Sequence, residues 1–251
     1  GSSACHLQMA NTAGGSGGGG GYIATGTTAI TAGQGYAVSI GNGGAVPEVW
    51  HAGNDGEATS AFGITAQGGK GAGALGWKDS GTPGAGTGAG GTGGRDTHIA
   101  GTQGENGQDL FGLGLYGAGG GGGGGGWATA GGSGGADGGG AGGKGGMPST
   151  DGADGTAGAA NTGGGAGGPG GGYVDEDSRY NSKGGQAAAG GSGVVILRGT
   201  QDDLIPVVFN GTQLSELYFN GVKVTSLIYN GARLFIREVK RCFAHQAVKL
   251  C

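Results

Sequence analysis

The side chains that most often catalyse reactions or bind metals are few in this chain and stand far apart. The pattern Gly-x-Gly-x-x-Gly recurs by chance, but no copy joins a strand to a helix with an acidic partner, so it predicts no dinucleotide site. The histidines are isolated from one another, and none stands at a metal-ligand spacing from a cysteine or carboxylate; they are His6, His51, His98 and His245. We therefore expect no catalytic residue, no metal, no cofactor and no enzyme activity.

Two acidic stretches are the remaining places where ion binding would be sought. Residues 151–155, Asp-Gly-Ala-Asp-Gly, begin like a calcium loop, but the later carboxylates at EF-hand spacing are missing. The cluster Asp175-Glu176-Asp177 is followed by Arg179 and Tyr180 and is typical of a solvated turn. Neither stretch changes the expectation that no metal is bound.

Large aromatic side chains are the other residues whose type indicates a function, because exposed aromatic residues dominate binding hot spots. They gather in the segments 46–54, 75–80, 110–116 and 173–180. We expect these segments to be loops that contact a receptor. An alternative for each tryptophan is a cap that seals the end of a scaffold. The candidate contact residues are Trp50, His51, Trp77, Phe111, Tyr116, Tyr173 and Tyr180.

The scaffold under these loops must be built mainly from glycine, which supplies 75 of the 251 residues. Each glycine inside a helix costs about 1 kcal/mol relative to alanine, and glycine gives a strand nothing to pack. Runs such as Gly119–Gly126 therefore exclude helix and ordinary sheet. Flexible linkers are also rich in glycine, but the enrichment in Ser, Glu, Lys and Pro that is typical of disorder is missing.

Charge and hydropathy exclude further classes of protein. The net charge of −4 and the scattered Lys and Arg residues give no basic patch for nucleic acid. No apolar run reaches the 18 or so residues of a membrane-spanning helix. Three cysteines, far apart, are too few for a disulfide scaffold. We expect neither nucleic acid nor a membrane span among the partners of this chain.

The informative pattern is a period of three. Among the fourteen positions reached in steps of three from Gly131 to Gly170, eleven are glycine, and the exceptions are Asp137, Ser149 and Asn161. Three residues per turn is the repeat of polyproline II, which has no internal hydrogen bonds. Bare glycine edges let such rods approach until their N–H and C=O groups bond laterally. The pattern predicts a polyglycine-II-type lattice instead of a hydrophobic core.

Short strands are predicted beside the lattice. The candidates are residues 22–24, 29–31, 36–40 and 194–197, and the four apolar residues of the last suggest burial on both faces. The fold class is thus mainly irregular and all-β. Composition divides the chain into a glycine-rich domain, 1–199, a repeat region, 200–236, and a tail, 237–251. An apolar stripe through Val239, Phe243, Ala247 and Leu250 indicates a short amphipathic helix in the tail.

The repeat region has a ten-residue period marked by Asn-Gly at 210–211, 220–221 and 230–231, each preceded by an aromatic residue. Asn-Gly favours tight hairpin turns, so a short-stranded β-meander is predicted. Strands this short are marginal alone, and we expect the meander to form a homo-oligomer, with a trimer favoured, or to pack on a neighbouring protein. The interface candidates are Phe209, Leu217, Phe219, Leu227, Tyr229 and Phe235.

These patterns together resemble a known family. The glycines at 17–21 before Tyr22, Gly-Gln-Gly-Tyr at 33–36 and Gly-Ser-Gly-Val-Val-Ile-Leu at 191–197 resemble the glycine-rich domain of bacteriophage tail-fibre and adhesin proteins. The resemblance covers most of residues 15–198, and the Asn-Gly repeats are similar to C-terminal repeats of phage tail proteins. It implies a rigid polyglycine II platform whose loops touch a bacterial surface receptor, protein or glycan.

The resemblance also implies other virion tail proteins as partners, assembly in the bacterial cytoplasm, and action outside the cell as part of the virion. Two alternatives remain open. One is an architectural component of a virion or surface filament with no receptor of its own. The other is an extracellular ligand-binding domain like the glycine-rich region of anaplastic lymphoma kinase, which the missing disulfide framework disfavours.

Overall fold

The chain divides into two compact units, Gly1–Leu197 and Arg198–Cys251. No helix occurs among the described residues, and the strands are short and antiparallel, so the predicted mainly irregular and β fold is confirmed. The computed structural model describes residues 1–3, 13–31, 34–48, 51–76, 79–174 and 182–198 and, by backbone alone, the strands beyond residue 206.

Unit 1 consists mainly of extended rods that run back and forth beside one another. The central rod, residues 117–126, is buried along its whole length and includes the eight consecutive glycines. Six further rods surround it and bond to it through their backbones. They are residues 13–21, 88–94, 99–105, 129–135, 139–146 and 163–172.

The hydrogen bonds of the central rod define a threefold helix. Successive N–H groups point to three different neighbours, and the direction returns after three residues. The C=O groups accept from three further rods in the same way. The donors Gly119, Gly120 and Gly121 bond to Glu105, Gly18 and Gly140 at 2.8–3.0 Å, and Gly122 bonds again to the first rod, at Thr102. Lateral bonding with a period of three is the arrangement of polyglycine II.

Burial explains why the central rod and the buried rods 13–21 and 163–172 are glycine at most positions, whereas the more exposed rods carry side chains at more positions. A rod with six neighbours has no direction free for a side chain. A Cβ added at Gly120, for example, would overlap the carbonyl oxygen of Ala166. The buried apolar side chains of the described residues are correspondingly small: two prolines and Ala13, Ala72, Leu75, Ala118, Ala166, Ala187 and Ala188. Lateral backbone bonds therefore take the place of a hydrophobic core.

The three exceptions to the glycine period mark the turns between rods. Asp137, Ser149 and Asn161 have φ values of 59°, 62° and 61°. Each therefore lies in the left-handed region, which Asp and Asn tolerate better than most side chains. The period of three breaks where the chain leaves one rod and turns into the next.

One small sheet flanks the lattice. It has the order β1-β2-β3 and is antiparallel, and Tyr36 packs against Phe62 with 5.2 Å between ring centroids. Its strands are β1, Val38–Ser39, β2, Thr59–Ala61, and β3, Ile64–Ala66. A separate pair further along the chain consists of β4, Gln108–Asp109, and β5, Leu115–Tyr116.

Several predicted strands are wrong. Residues 22–24 and 29–31 form no strand, and only two residues of 36–40 do. The apolar run 194–197 is neither a strand nor buried on both faces, since Leu197 is 64 % exposed. Strand propensity alone does not form a sheet, because a strand also needs a partner that pairs with it over several residues.

Beyond residue 206 the structure has four antiparallel hairpins. The first three join strands across the three Asn-Gly pairs, with Phe209 opposite Thr212, Phe219 opposite Val222 and Tyr229 opposite Ala232, so the predicted hairpins are confirmed. The strands of these three are β6, Val207–Phe209; β7, Thr212–Leu214; β8, Tyr218–Phe219; β9, Val222–Lys223; β10, Ser226–Tyr229; and β11, Ala232–Phe235.

Two expectations for this region are corrected. The described strands form separate pairs instead of a continuous meander. The tail has no helix where one was expected, because β12, Arg241–Ala244, pairs with β13, Ala247–Leu250. A lone helix of this length is marginal in water, whereas pairing satisfies backbone groups across a two-residue connection.

Candidate functional site

The rods place the turns of unit 1 at two opposite ends. The central rod starts at Gly117 and ends at Gly126, and nine steps of about 3.1 Å separate these ends by about 28 Å. We call the end beyond Gly126 the Trp127 end and the end before Gly117 the Phe111 end. Because the neighbouring rods bond in register with the central rod, each of their turns belongs to one end or the other.

Three aromatic rings meet at the Trp127 end. His98 stacks on Trp127 with 5.5 Å between centroids and 24° between planes, and Tyr173 contacts Trp127 edge to face at 5.1 Å and 78°. The three residues follow three different rods, which the backbone bonds of the central rod hold in register. We call these residues the aromatic cluster. Trp127 remains 43 % exposed.

Backbone hydrogen bonds fix the turns that carry the cluster. The N–H of His98 donates to Gly126 O at 3.3 Å, which ties the His98 turn to the end of the central rod. The N–H of Tyr173 donates to the Ser182 hydroxyl, and the N–H of Ser182 donates to Tyr173 O, both at 2.9 Å. The rings therefore stand on a rigid base.

The backbone is strained where the cluster is attached. Trp127, Ala128 and His98 have φ values of 61°, 54° and 71°. A left-handed conformation costs a residue with a side chain roughly 1–2 kcal/mol, and glycine avoids most of that cost. In a chain so rich in glycine, an exposed tryptophan at such a position indicates that its side chain serves a purpose other than stability.

A shallow groove of about 200 Å³ opens beside the cluster, bordered by Ala128, the neighbour of Trp127. The N–H of Ala128 donates to Gly146 O at 3.0 Å, which joins the Trp127 turn to the turn that carries Met147. Lys144 and Asp151 supply one positive and one negative charge. The Asp151 carboxylate is oriented because its Oδ1 accepts from the N–H of Lys183 at 2.7 Å.

The Phe111 end is more aliphatic. Phe111 and Leu113, 53 % and 63 % exposed, lie in the turn between β4 and β5. The Asp109 carboxylate accepts from the N–H of Gly112 at 2.8 Å and orders this turn. Phe111 has a φ of 59°, so it is an exposed aromatic residue in the same strained conformation as Trp127.

The structure divides the candidate contact residues between the two ends instead of bringing them together. His51 and Tyr173 lie at the Trp127 end, and Phe111 and Tyr116 lie at the Phe111 end. A receptor bound at one end would therefore contact only the candidates at that end. Trp50, Trp77 and Tyr180 lie outside the described residues, as does Leu217 among the interface candidates. The other interface candidates lie in strands β6, β8, β10 and β11.

Sequence reasoning missed Trp127 and treated His98 only as an isolated histidine. A signal was available, since the three buried glycine-rich rods each end directly before an aromatic residue: Tyr22, Trp127 and Tyr173. A side chain at that position is the first one with space beside it once the rod leaves its six neighbours. An aromatic residue after a long glycine run therefore marks an end of the lattice.

Neither a metal-binding cluster nor a membrane-spanning helix is found among the described residues. No group of three or more His, Cys, Asp or Glu residues is arranged there to hold a metal ion. In the same part of the chain, no helix has the length and apolar character that crossing a bilayer requires.

Laterally bonded glycine-rich rods with their large side chains at two ends define a rigid scaffold of the polyglycine II type. Residues 1–200 match the sequence profile of the family described as "Glycine-rich domain", and the chain belongs to that family. No curated protein matches the chain. No solved structure matches it either.

Proposed function

We propose that this chain is an attachment protein of a bacteriophage tail, which presents the side chains of its turns to a bacterial surface receptor from a rigid lattice. It is assembled in the bacterial cytoplasm with other tail proteins and acts outside the cell as part of the virion. The resemblance to phage tail-fibre and adhesin proteins supports this function, and the proposal is for a binding protein without enzyme activity.

One observation carries the proposal. Phe111 and Trp127, two exposed aromatic residues of unit 1, stand in turns with positive φ at the lattice ends, where glycine would relieve the strain. Residues that bind partners are found disproportionately on loops held by a rigid scaffold, and Trp and Tyr are enriched in hot spots. Exposed rings at both ends of a rigid lattice fit that pattern.

The hairpins of unit 2 support an oligomer, because a two-stranded hairpin is marginally stable by itself. We propose that they join copies of the chain, with a trimer favoured, through Phe209, Leu217, Phe219, Leu227, Tyr229 and Phe235. Several copies would multiply weak receptor contacts through avidity. Light scattering on the full chain measures this mass directly.

The experiment uses particles of the virus or prophage that encodes the chain. Gold-labelled antibodies against the full chain are expected to mark the distal tail. Purified full chain added to cells first is expected to reduce particle adsorption, and a variant with both Trp127→Ala and Phe111→Ala is expected to reduce it much less. If the antibodies label the tail but the purified chain does not reduce particle adsorption, the purely architectural alternative is favoured. Particles without label would overturn the proposal.

A further inference from the structure

We propose that the Trp127 end is the receptor-binding end and that its ligand is a neutral glycan, with one sugar ring lying on the aromatic cluster and the groove beside it. This inference rests on the proposed attachment function. It adds which end binds and the chemical class of the ligand.

The aromatic cluster has the surface that the apolar C–H face of a sugar ring requires. Its rings come from three rods, so the surface is fixed before binding and little conformational freedom is lost. A ring that only capped the rod would be buried, yet Trp127 is 43 % exposed. The cluster therefore offers more aromatic surface than sealing the central rod needs.

The groove is lined mainly by apolar surface, and the charged residues at its border are Lys144 and Asp151. Sugar hydroxyls both donate and accept hydrogen bonds. Lys144 donates, and the oriented Asp151 carboxylate accepts. These two opposite charges leave the groove itself without an excess of either sign, which suits a neutral ligand better than a strongly cationic or anionic one. The groove of about 200 Å³ is smaller than the roughly 300–1,000 Å³ that takes a whole drug-sized molecule, and so it suits a single ring of a longer chain.

A protein receptor is disfavoured by the same features. A stable protein interface buries about 800 Å² on each partner, and its centre is depleted of charged residues. At the Trp127 end, the turn that carries His98 also carries the exposed Arg95, and Lys144 and Asp151 border the groove. A small aromatic surface with charges at its border fits a sugar chain better than a protein surface.

The path of the chain indicates which end of unit 1 binds the receptor. The last rod of unit 1, residues 182–193, ends where Gly193 donates to Gly41 O and Ser192 O accepts from Gly163, which is the Phe111 end. The chain therefore leaves unit 1 at the Phe111 end. The Trp127 end is the one from which no chain continues to unit 2.

The test measures binding of the full chain to polysaccharide released from the cells to which the particles adsorb, after digestion with protease. Trp127→Ala is expected to weaken binding at least tenfold, and Trp127→Phe is expected to retain part of it. Tyr22→Ala is the matched control, because Tyr22 is an exposed aromatic residue that follows a buried rod at the other end and is not one of the candidate contact residues. It is expected to bind like the parent protein.

Further variants separate binding from folding. Asp151→Asn keeps an oxygen that accepts from the N–H of Lys183, so the unfolding midpoint is expected to stay unchanged. Loss of the carboxylate is expected to weaken polysaccharide binding several-fold. His98→Ala is expected to weaken binding as well. If Trp127→Ala lowered the unfolding midpoint, Asp151→Asn would still decide the question. Unchanged polysaccharide binding by Asp151→Asn and Trp127→Phe alike would overturn the inference.

The receptor class is tested on whole cells. Periodate oxidation of surface sugars is expected to abolish binding of the full chain, and protease treatment is expected to leave it intact. The reverse result would show a protein receptor and overturn the glycan inference, while the attachment function would stand. If Phe111→Ala weakened binding of the full chain to cells and Trp127→Ala did not, the choice of the Trp127 end would be overturned. Failure to bind adsorbing cells at all would count against the attachment function itself.

Discussion

Individual glycines in unit 1 are required for different reasons, and the distinction can be tested. Gly120 does not have a positive φ, but an added Cβ would overlap the carbonyl oxygen of Ala166. Gly35 also lacks a positive φ, and an added Cβ there would meet nothing within 4 Å. The first glycine is required by contact between rods, and the second is not.

Gly120→Ala is expected to lower the free energy of unfolding by about 3 kcal/mol, because overpacking against a backbone that is held on six sides cannot be relieved by a side-chain movement. Gly35→Ala should leave it unchanged or raise it by up to about 1 kcal/mol, through the lower entropy of the unfolded chain. Denaturant unfolding of both variants measures the difference. Equal effects at the two positions would contradict the lattice.

At the scale of elements, rods and turns use glycine for different reasons. A rod needs a bare edge, so its glycines recur every third residue, whereas a turn needs one residue in the left-handed region. Ser149 occupies such a turn, between Met147 and Thr150, whose backbones exchange two hydrogen bonds of 2.9 Å. Because the Ser149 side chain is exposed, the left-handed backbone conformation is the main factor by which a substitution there changes the free energy of unfolding.

Ser149→Gly is expected to raise the free energy of unfolding by about 0.5–1 kcal/mol, since relief of left-handed strain of about 1–2 kcal/mol exceeds the added entropy of the unfolded chain. Ser149→Val should lower it by about 1–2 kcal/mol, because a β-branched residue is least tolerated there. Unfolding midpoints of the two variants report the sign of each change. Variants that were equally stable would exclude a left-handed turn at residue 149.

At the scale of the whole molecule, unit 1 is held together by backbone bonds and close dispersion contacts, with little apolar surface buried by side chains. The buried apolar side chains of the described residues are six alanines, two prolines and Leu75. Apolar exposure raises the heat capacity of unfolding, and polar exposure lowers it. The thermodynamics of unfolding should therefore differ from those of a protein with a hydrophobic core.

Scanning calorimetry of the full chain is expected to give a heat-capacity change of unfolding below about half of the usual 12–15 cal/mol/K per residue. Amide exchange offers a companion measurement. Amides of the central rod should be among the slowest to exchange, and those of the exposed segment 22–31 among the fastest. A heat-capacity change in the usual range would mean that apolar burial dominates after all.

Local rules in the sequence were sufficient for part of this protein. The period of three predicts laterally bonded rods, because it reflects one bare edge on each turn of a threefold helix. Asn-Gly at ten-residue spacing predicts hairpins, because the preference of that pair for tight turns is local. Both kinds of rule act between residues that are near in sequence, and both agree with the structure.

Only the tertiary structure decided which rod is central, which end each turn reaches and which rings meet. His98, Trp127 and Tyr173 are far apart in the chain, and their contact depends on the register of three rods. Register between glycine rods is set by lateral bonds that look the same after every third residue, so no local pattern specifies it. The helix predicted for the tail was wrong for a related reason. An apolar stripe stabilises a helix only where another surface covers it, and in the tail β12 pairs with β13 instead.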